Sequence, residues 1–127
     1  MYFKDYSEAY KDFQEPNIEV SLKNEDSGEI EDKIIIWEYD FDSILSKIPL
    51  NEDGVYVALA YHANIDMPWY EMEPNDWTMD HLDESLAQLD NIKDKIDEEE
   101  IRDICKDLCR IIKKAIINKK TILVKRN

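Results

Sequence analysis

Residues 97–118 constrain this chain more than any other stretch. Ile101, Ile104, Cys105, Leu108, Cys109, Ile112 and Ile116 recur at intervals of three and four. That spacing lines them along one face of a helix and leaves the charged residues on the other. A helix with a single apolar stripe cannot bury it alone, so a second layer must lie beneath it. Asp97 stands at the expected N-cap and Glu100 at the capping-box position. Acids Asp97–Glu100 at the start, with Lys113 and Lys114 near the end, suit the helix dipole. A second helix is expected over 80–96, capped by Asp80, with Leu82, Leu86, Leu89, Lys93 and Ile96 on one side.

The layer beneath is expected to be a sheet. Ile18, Val20 and Leu22 alternate with Glu19, Ser21 and Lys23, the period-two signature of a half-buried strand. Asn24 to Gly28 is turn chemistry. Ile34 to Trp37, with Tyr39 beyond, reads as the returning strand of a hairpin. Val55 to Tyr61 is apolar on both faces and reads as a central strand. Thr121 to Val124 reads as a last strand. Tyr2, Phe3, Tyr6, Tyr10 and Phe13 have helical spacing, so a helix is expected over 2–13, ended by Gln14-Glu15-Pro16. A short helix over 41–48, capped by Asp40 or Asp42 and stopped by Pro49, precedes the turn at Asn51–Gly54. Residues 62–77 read as irregular. The expected fold class is α+β: one two-layer domain over 1–127, a mainly antiparallel sheet of about four strands, and C-terminal helices packed on one face. A chain of 127 residues suffices for one such core.

Charge is the next constraint. Asp and Glu number 30 against 16 Lys and Arg, a formal net of −14. The distribution is uneven. Residues 1–100 hold 28 acids and 7 bases, whereas 101–127 hold 2 acids and 9 bases. A field of this sign attracts basic partners and repels bare nucleic acid. It also opposes compaction, so packing or a cationic partner must offset the self-repulsion. The basic residues Lys113, Lys114, Lys119, Lys120, Lys125 and Arg126 read as an internal counterweight or as one end of a dipolar molecule.

Catalytic patterns are missing from the sequence. His62 and His81 stand in no metal-binding spacing. No serine lies in a nucleophile elbow, and the two glycines, Gly28 and Gly54, cannot build a phosphate-binding loop. Cys105 and Cys109, one turn apart on a helix, read as small buried apolar residues. The reading is therefore no enzyme, no metal and no cofactor. His62, at the end of the expected central strand, is the one residue to watch as a general base. The first residues carry acids and no apolar run, and no stretch approaches the ~20 residues of a membrane span. The expected location is the cytoplasm, with no membrane partner.

Residues 64–77 look like a binding surface. They combine Trp69, Tyr70 and Trp77 with Asp66, Glu71, Glu73 and Asp76, and Pro68 and Pro74 stiffen the run. Aromatic side chains are the usual anchors of interfaces, and carboxylates beside them suit a basic target. Asp80, Asp83 and Glu84 continue the patch. Residues 64–100 carry 13 acids and 2 bases. The alternative is that Trp69, Tyr70 and Trp77 simply cover the edge of the core.

In size, charge and its aromatic–acidic run from Asp66 to Trp77, the chain resembles the immunity proteins of bacterial toxin systems, including contact-dependent inhibition and colicin-type nucleases. That resemblance implies stoichiometric inhibition. A basic toxin domain, most simply a nuclease, is drawn in electrostatically and its nucleic-acid surface is covered by Glu71, Glu73, Asp76, Asp80, Asp83 and Glu84, anchored by Trp69, Tyr70 and Trp77. Three other readings stay open. One is a phage-type nucleic-acid mimic that blocks a DNA- or RNA-binding protein. Another is a small enzyme using His62 with a carboxylate. The third is a structural or regulatory subunit whose loop 64–77 docks into a larger assembly.

Overall fold

The computed structural model describes residues 2–8, 16–48, 76–79 and 81–126. Their elements run β1 (Tyr2–Asp5), β2 (Asn17–Lys23), β3 (Ile30–Trp37), α1 (Glu38–Ser46), β4 (Asp76–Thr78), α2 (Leu82–Lys93), α3 (Glu99–Asn118) and β5 (Thr121–Arg126). The fold class is α+β, as expected. The described strands form one sheet in the order β1-β3-β2-β5-β4. Three of its ladders are antiparallel, and β1 runs parallel to β3.

Alternation decides which face is covered. Ile18, Val20 and Leu22 of β2, Ile34 and Ile36 of β3, and Ile122 and Val124 of β5 are all fully buried. Of the residues that alternate with them, Glu19, Lys33 and Lys125 stay at least partly exposed, while the small Ser21 is buried. The long helix α3 supplies Ile104, Leu108, Ile111, Ile112 and Ala115 to the same core, α2 adds Leu89 and Ile92, and α1 adds Phe41, Ile44 and Leu45. Cys105 and Cys109 are buried free thiols within it. The Cys105 Sγ lies 3.7 Å from the Leu89 carbonyl oxygen, where α2 meets α3.

The β2–β3 hairpin turns where turn chemistry predicts. The Asn24 side-chain oxygen accepts the Asp26 N–H at 2.9 Å, and Gly28 takes a positive φ of 74°. That left-handed conformation is open to glycine at little steric cost. A register shift at Leu22/Lys23 leaves Glu31 as the extra residue of a bulge, since Leu22 pairs with Asp32 and Lys23 with Ile30.

Several expectations need correction. The helix expected over 2–13 begins instead as strand β1. The spacing of Tyr2, Phe3 and Tyr6 fits a helix, but aromatic residues also favour strands. The open edge of β3 offers a ladder that pairs Tyr2–Asp5 with Asp32–Ile35. Asp5 then turns the chain, accepting the Ser7 N–H at 2.8 Å and its hydroxyl at 2.6 Å. The second strand starts at Ile30, not Ile34. The following helix starts at Glu38, so Asp40 and Asp42 lie inside its first turns and Trp37 is the N-cap. The cap of α2 is His81, in a left-handed conformation, and that of α3 is Glu98; neither makes a side-chain capping bond, so Asp97 does not act as the cap. Asp76 and Trp77, the end of the segment read as irregular, belong with Thr78 to strand β4, paired with Leu123–Lys125. The expected strand Val55–Tyr61 lies outside the described residues. No helix among the described residues is long and apolar enough to cross a membrane.

Candidate functional site

The charges of this molecule are sorted, and the sorting begins inside the fold. Asp32 occupies an inner-face position of β3, in register with Ile34 and Ile36, and is fully buried. Arg110 of α3 reaches it with two parallel hydrogen bonds, Nη1 to Oδ2 at 2.8 Å and Nη2 to Oδ1 at 3.0 Å. Lys114, one turn on, adds a third donor at 3.3 Å. The Arg110 Nε donates to Asp107 Oδ1 at 2.6 Å. The other oxygen of Asp107 accepts the Tyr6 hydroxyl at 2.7 Å and that of Tyr2 at 3.3 Å. The guanidinium also stacks over the Tyr2 ring, 4.0 Å from its centre.

This network ties β1, β3 and α3 together, and its members tune one another. Burial alone would raise the Asp32 carboxyl. The hydrogen bonds and charge of Arg110, then Lys114, outweigh that and hold it below the usual carboxylate range. Burial, then the bond to Asp107, pushes the Tyr6 phenol well above its ordinary value, so the hydroxyl stays a donor. Two further pairs extend the pattern: Lys120 bonds Glu31 on the bulge, and Arg126 bonds Glu38 at 3.0 Å. Thus three of the six basic residues expected to act as a counterweight, Lys114, Lys120 and Arg126, neutralise acids of the sheet and its margin, whereas Lys113, Lys119 and Lys125 form no ion pair among the described residues.

Among the acids that these cations leave untouched, two sets stand at the starts of α2 and α3. Asp83 and Glu84 are exposed in the first turn of α2. The Glu84 Oε1 lies 3.4 Å from the His81 Nδ1, and no lysine or arginine reaches either acid among the described residues. Asp97, Glu98, Glu99 and Glu100 are exposed around the start of α3, and none forms an ion pair among the described residues. Asp40, buried at 7% exposure in the first turns of α1, has an Oδ2 atom with no hydrogen-bond partner. Burial and the nearby charges of Glu100 and Glu98 push its carboxyl up to about 6.

Of the residues expected to bind a partner, Asp83 and Glu84 are exposed at the start of α2, at the other end of the α2–α3 pair from the acids that open α3. Asp76 and Trp77 lie on β4, where their backbones pair with Lys125 and Val124. Asp66, Trp69, Tyr70, Glu71, Glu73 and Asp80 lie outside the described residues, as does His62. Sequence reasoning missed Asp32, Asp107 and Tyr6. The available signal for Asp32 was its place at an apolar position of an alternating strand. For Asp107 it was the i, i+3 step to Arg110 along α3. Among the described residues, no three His, Cys, Asp or Glu side chains are grouped to hold a metal ion. No protein-family model, curated protein or solved structure matches the chain.

Proposed function

We infer that this protein is a stoichiometric inhibitor of the immunity type, which docks a basic partner domain with an acidic face and so covers that partner's nucleic-acid surface. One observation carries the reading. Four C-terminal cations, Arg110, Lys114, Lys120 and Arg126, are paired with acids of the sheet, its margin and α3, while the acids at the starts of α2 and α3 are exposed and unmatched by lysine or arginine among the described residues. A fold that pairs Asp32 and Asp107 inside and leaves an outer set of acids open keeps a net field for steering a cationic partner. Residues 64–100, with 13 acids and 2 bases, contain most of that outer set and the aromatic anchors Trp69 and Trp77. The cytoplasm is where such a partner would act.

The test is co-expression with the product of the adjacent gene. Rescue of growth together with a one-to-one complex supports the reading. A neighbour that is harmless and fails to bind overturns it.

A further inference from the structure

The basic residues left over from the internal pairing form a site of their own. Lys106, Cys109, Arg110, Lys113, Lys114, Ile117 and Asn118 follow helical spacing down one side of α3, and with Asp90 and Lys93 of α2 they line a groove of about 420 Å³. Five of these side chains are cations and one is an acid, on a molecule whose net charge is −14.

The pairing within the groove fixes how much charge is free. Lys93 is matched by Asp90 at 2.8 Å. Arg110 and Lys114 are matched by Asp107 and Asp32, which lie behind them. Lys106 and Lys113 form no ion pair among the described residues, and both are exposed. Two positive charges therefore remain. They stand two turns apart, on either side of Arg110, and about 10 Å apart along the axis at 1.5 Å per residue. Flexible lysine arms of that separation can converge above the middle turn. There the Arg110 guanidinium is clamped by two carboxylates, so it is oriented before any ligand arrives. Each of its Nη atoms keeps one N–H beyond the bond to Asp32. Next to this cationic centre, Ile117 is 71% exposed, a large apolar side chain facing water.

We propose that this groove binds a small phosphate monoester: the dianionic phosphate between Lys106, Arg110 and Lys113, and the organic part over Ile117. A phosphate monoester carries about two negative charges at neutral pH, which equals the charge the groove leaves unmatched. The volume falls in the usual range for small-molecule sites, roughly 300–1,000 Å³. A compact anion senses mainly charges within a Debye length, about 8 Å at physiological salt. It thus senses the cations that line the groove more strongly than the acids elsewhere in the molecule. An extended polyanion such as a nucleic acid would feel the whole field of −14 and be repelled.

The experiment uses the full chain, isotopically labelled, titrated with inorganic phosphate and with phenyl phosphate at constant ionic strength while backbone amide shifts are followed. Saturable shifts are expected at Lys93 and residues 106–118, tighter for phenyl phosphate than for inorganic phosphate. Lys106→Gln with Lys113→Gln should weaken phenyl phosphate binding at least tenfold. Lys125→Gln, which removes an exposed lysine on β5, should change it less than twofold. Lowering the pH from 7.5 to 5 should weaken binding as the monoester loses its second charge. Shifts that never saturate, or equal losses in K125Q and in the double variant, would show general charge screening and overturn the site. Tighter binding of a twelve-nucleotide single-stranded DNA at the same residues would overturn the small-molecule assignment.

Discussion

Arg110 and Asp32 are separated by 78 residues in sequence and joined by two hydrogen bonds of 2.8 and 3.0 Å in the fold. The carboxylate is fully buried and the guanidinium about one-third exposed. Removing one partner of such a pair costs more than the pair contributes, because the other charge is left behind in the core. Arg110→Met is expected to destabilise the protein by about 3 kcal/mol at pH 7. Asp32→Asn in the same chain should recover part of that loss. Urea denaturation of the four members of the cycle measures the coupling. The folded-state carboxyl is depressed from 3.8, so its contribution is complete above that value and fades as the pH falls through the lower folded one. The gap between wild type and the arginine variant should therefore narrow in acid. A gap independent of pH would mean that lost packing, not charge, is the cause.

Asp40 has the opposite sign. Its carboxyl is raised from 3.8 to about 6, and the buried Oδ2 has no partner. An acid raised on folding favours the folded state when protonated and penalises it when ionised. The penalty is absent below the unfolded value, grows between 3.8 and 6, and is complete above 6. Asp40→Asn should stabilise the protein by up to about 3 kcal/mol at pH 7.5, because each tenfold weakening of an acid on folding corresponds to about 1.4 kcal/mol. At pH 4 the same substitution should change stability by almost nothing. Denaturation midpoints at the two values check both halves. Destabilisation at pH 7.5 would show that the ionised group has a partner.

The sharp exit from α3 carries a local strain. Lys119 adopts φ 55° so that its N–H reaches the Ile116 carbonyl and the Lys120 N–H reaches that of Ala115. This is a Schellman closure, in which glycine is the favoured residue at the left-handed position. Lys119→Gly is expected to raise stability by about 0.5–1 kcal/mol, the left-handed penalty less the added freedom of the unfolded chain. Thermal denaturation at fixed pH and salt is the measurement. An unchanged or lower midpoint would show that the lysine side chain contributes there.

The acidic face makes its own demand on kinetics. Asp83→Asn with Glu84→Gln removes two exposed charges from the start of α2. Association with the partner should slow several-fold at 50 mM salt and hardly at all at 300 mM, while dissociation changes little. Stopped-flow mixing at both salt concentrations separates the two rates. Equal slowing at both would mean that the residues act by contact and not by steering. Stability should fall only slightly, since favourable charges at a helix start contribute about 0.3–1 kcal/mol each.

What could be read from the chain follows from where each signal resides. The β2 strand was legible because Ile18, Val20 and Leu22 alternate with polar residues, and α3 because one stripe repeats over twenty residues; both are local periodicities. The β1 strand was not, since Tyr2, Phe3 and Tyr6 satisfy a helix equally well and the deciding ladder comes from β3, some thirty residues away. The helix caps were misplaced by one residue each, at Asp80 and Asp97, because a cap is set by backbone geometry and not by residue type alone. The candidate site divides in the same way. Exposed acids such as Asp83 and Glu84 are visible in a sequence as charge. The burial of Asp32 and its distant partner Arg110 is a tertiary fact. An aspartate between a glutamate and a lysine, as in Glu31-Asp32-Lys33, looks like surface.

The position of β5 has a consequence for how the protein is made. The last strand lies inside the sheet, between β2 and β4, and not at its edge. During translation β2 and β3 emerge early with a hydrogen-bonding edge and an apolar face, and must wait for the neighbour that covers the edge. Ile122 and Val124 reach them only after residue 126 has cleared the ribosome, since an exit tunnel hides the newest part of any chain. Until then the nascent hairpin is exposed to pairing with other chains. The domain thus folds after synthesis of its last strand and not alongside it, and a chaperone that shields residues 17–37 should raise its yield more than one acting on the helices.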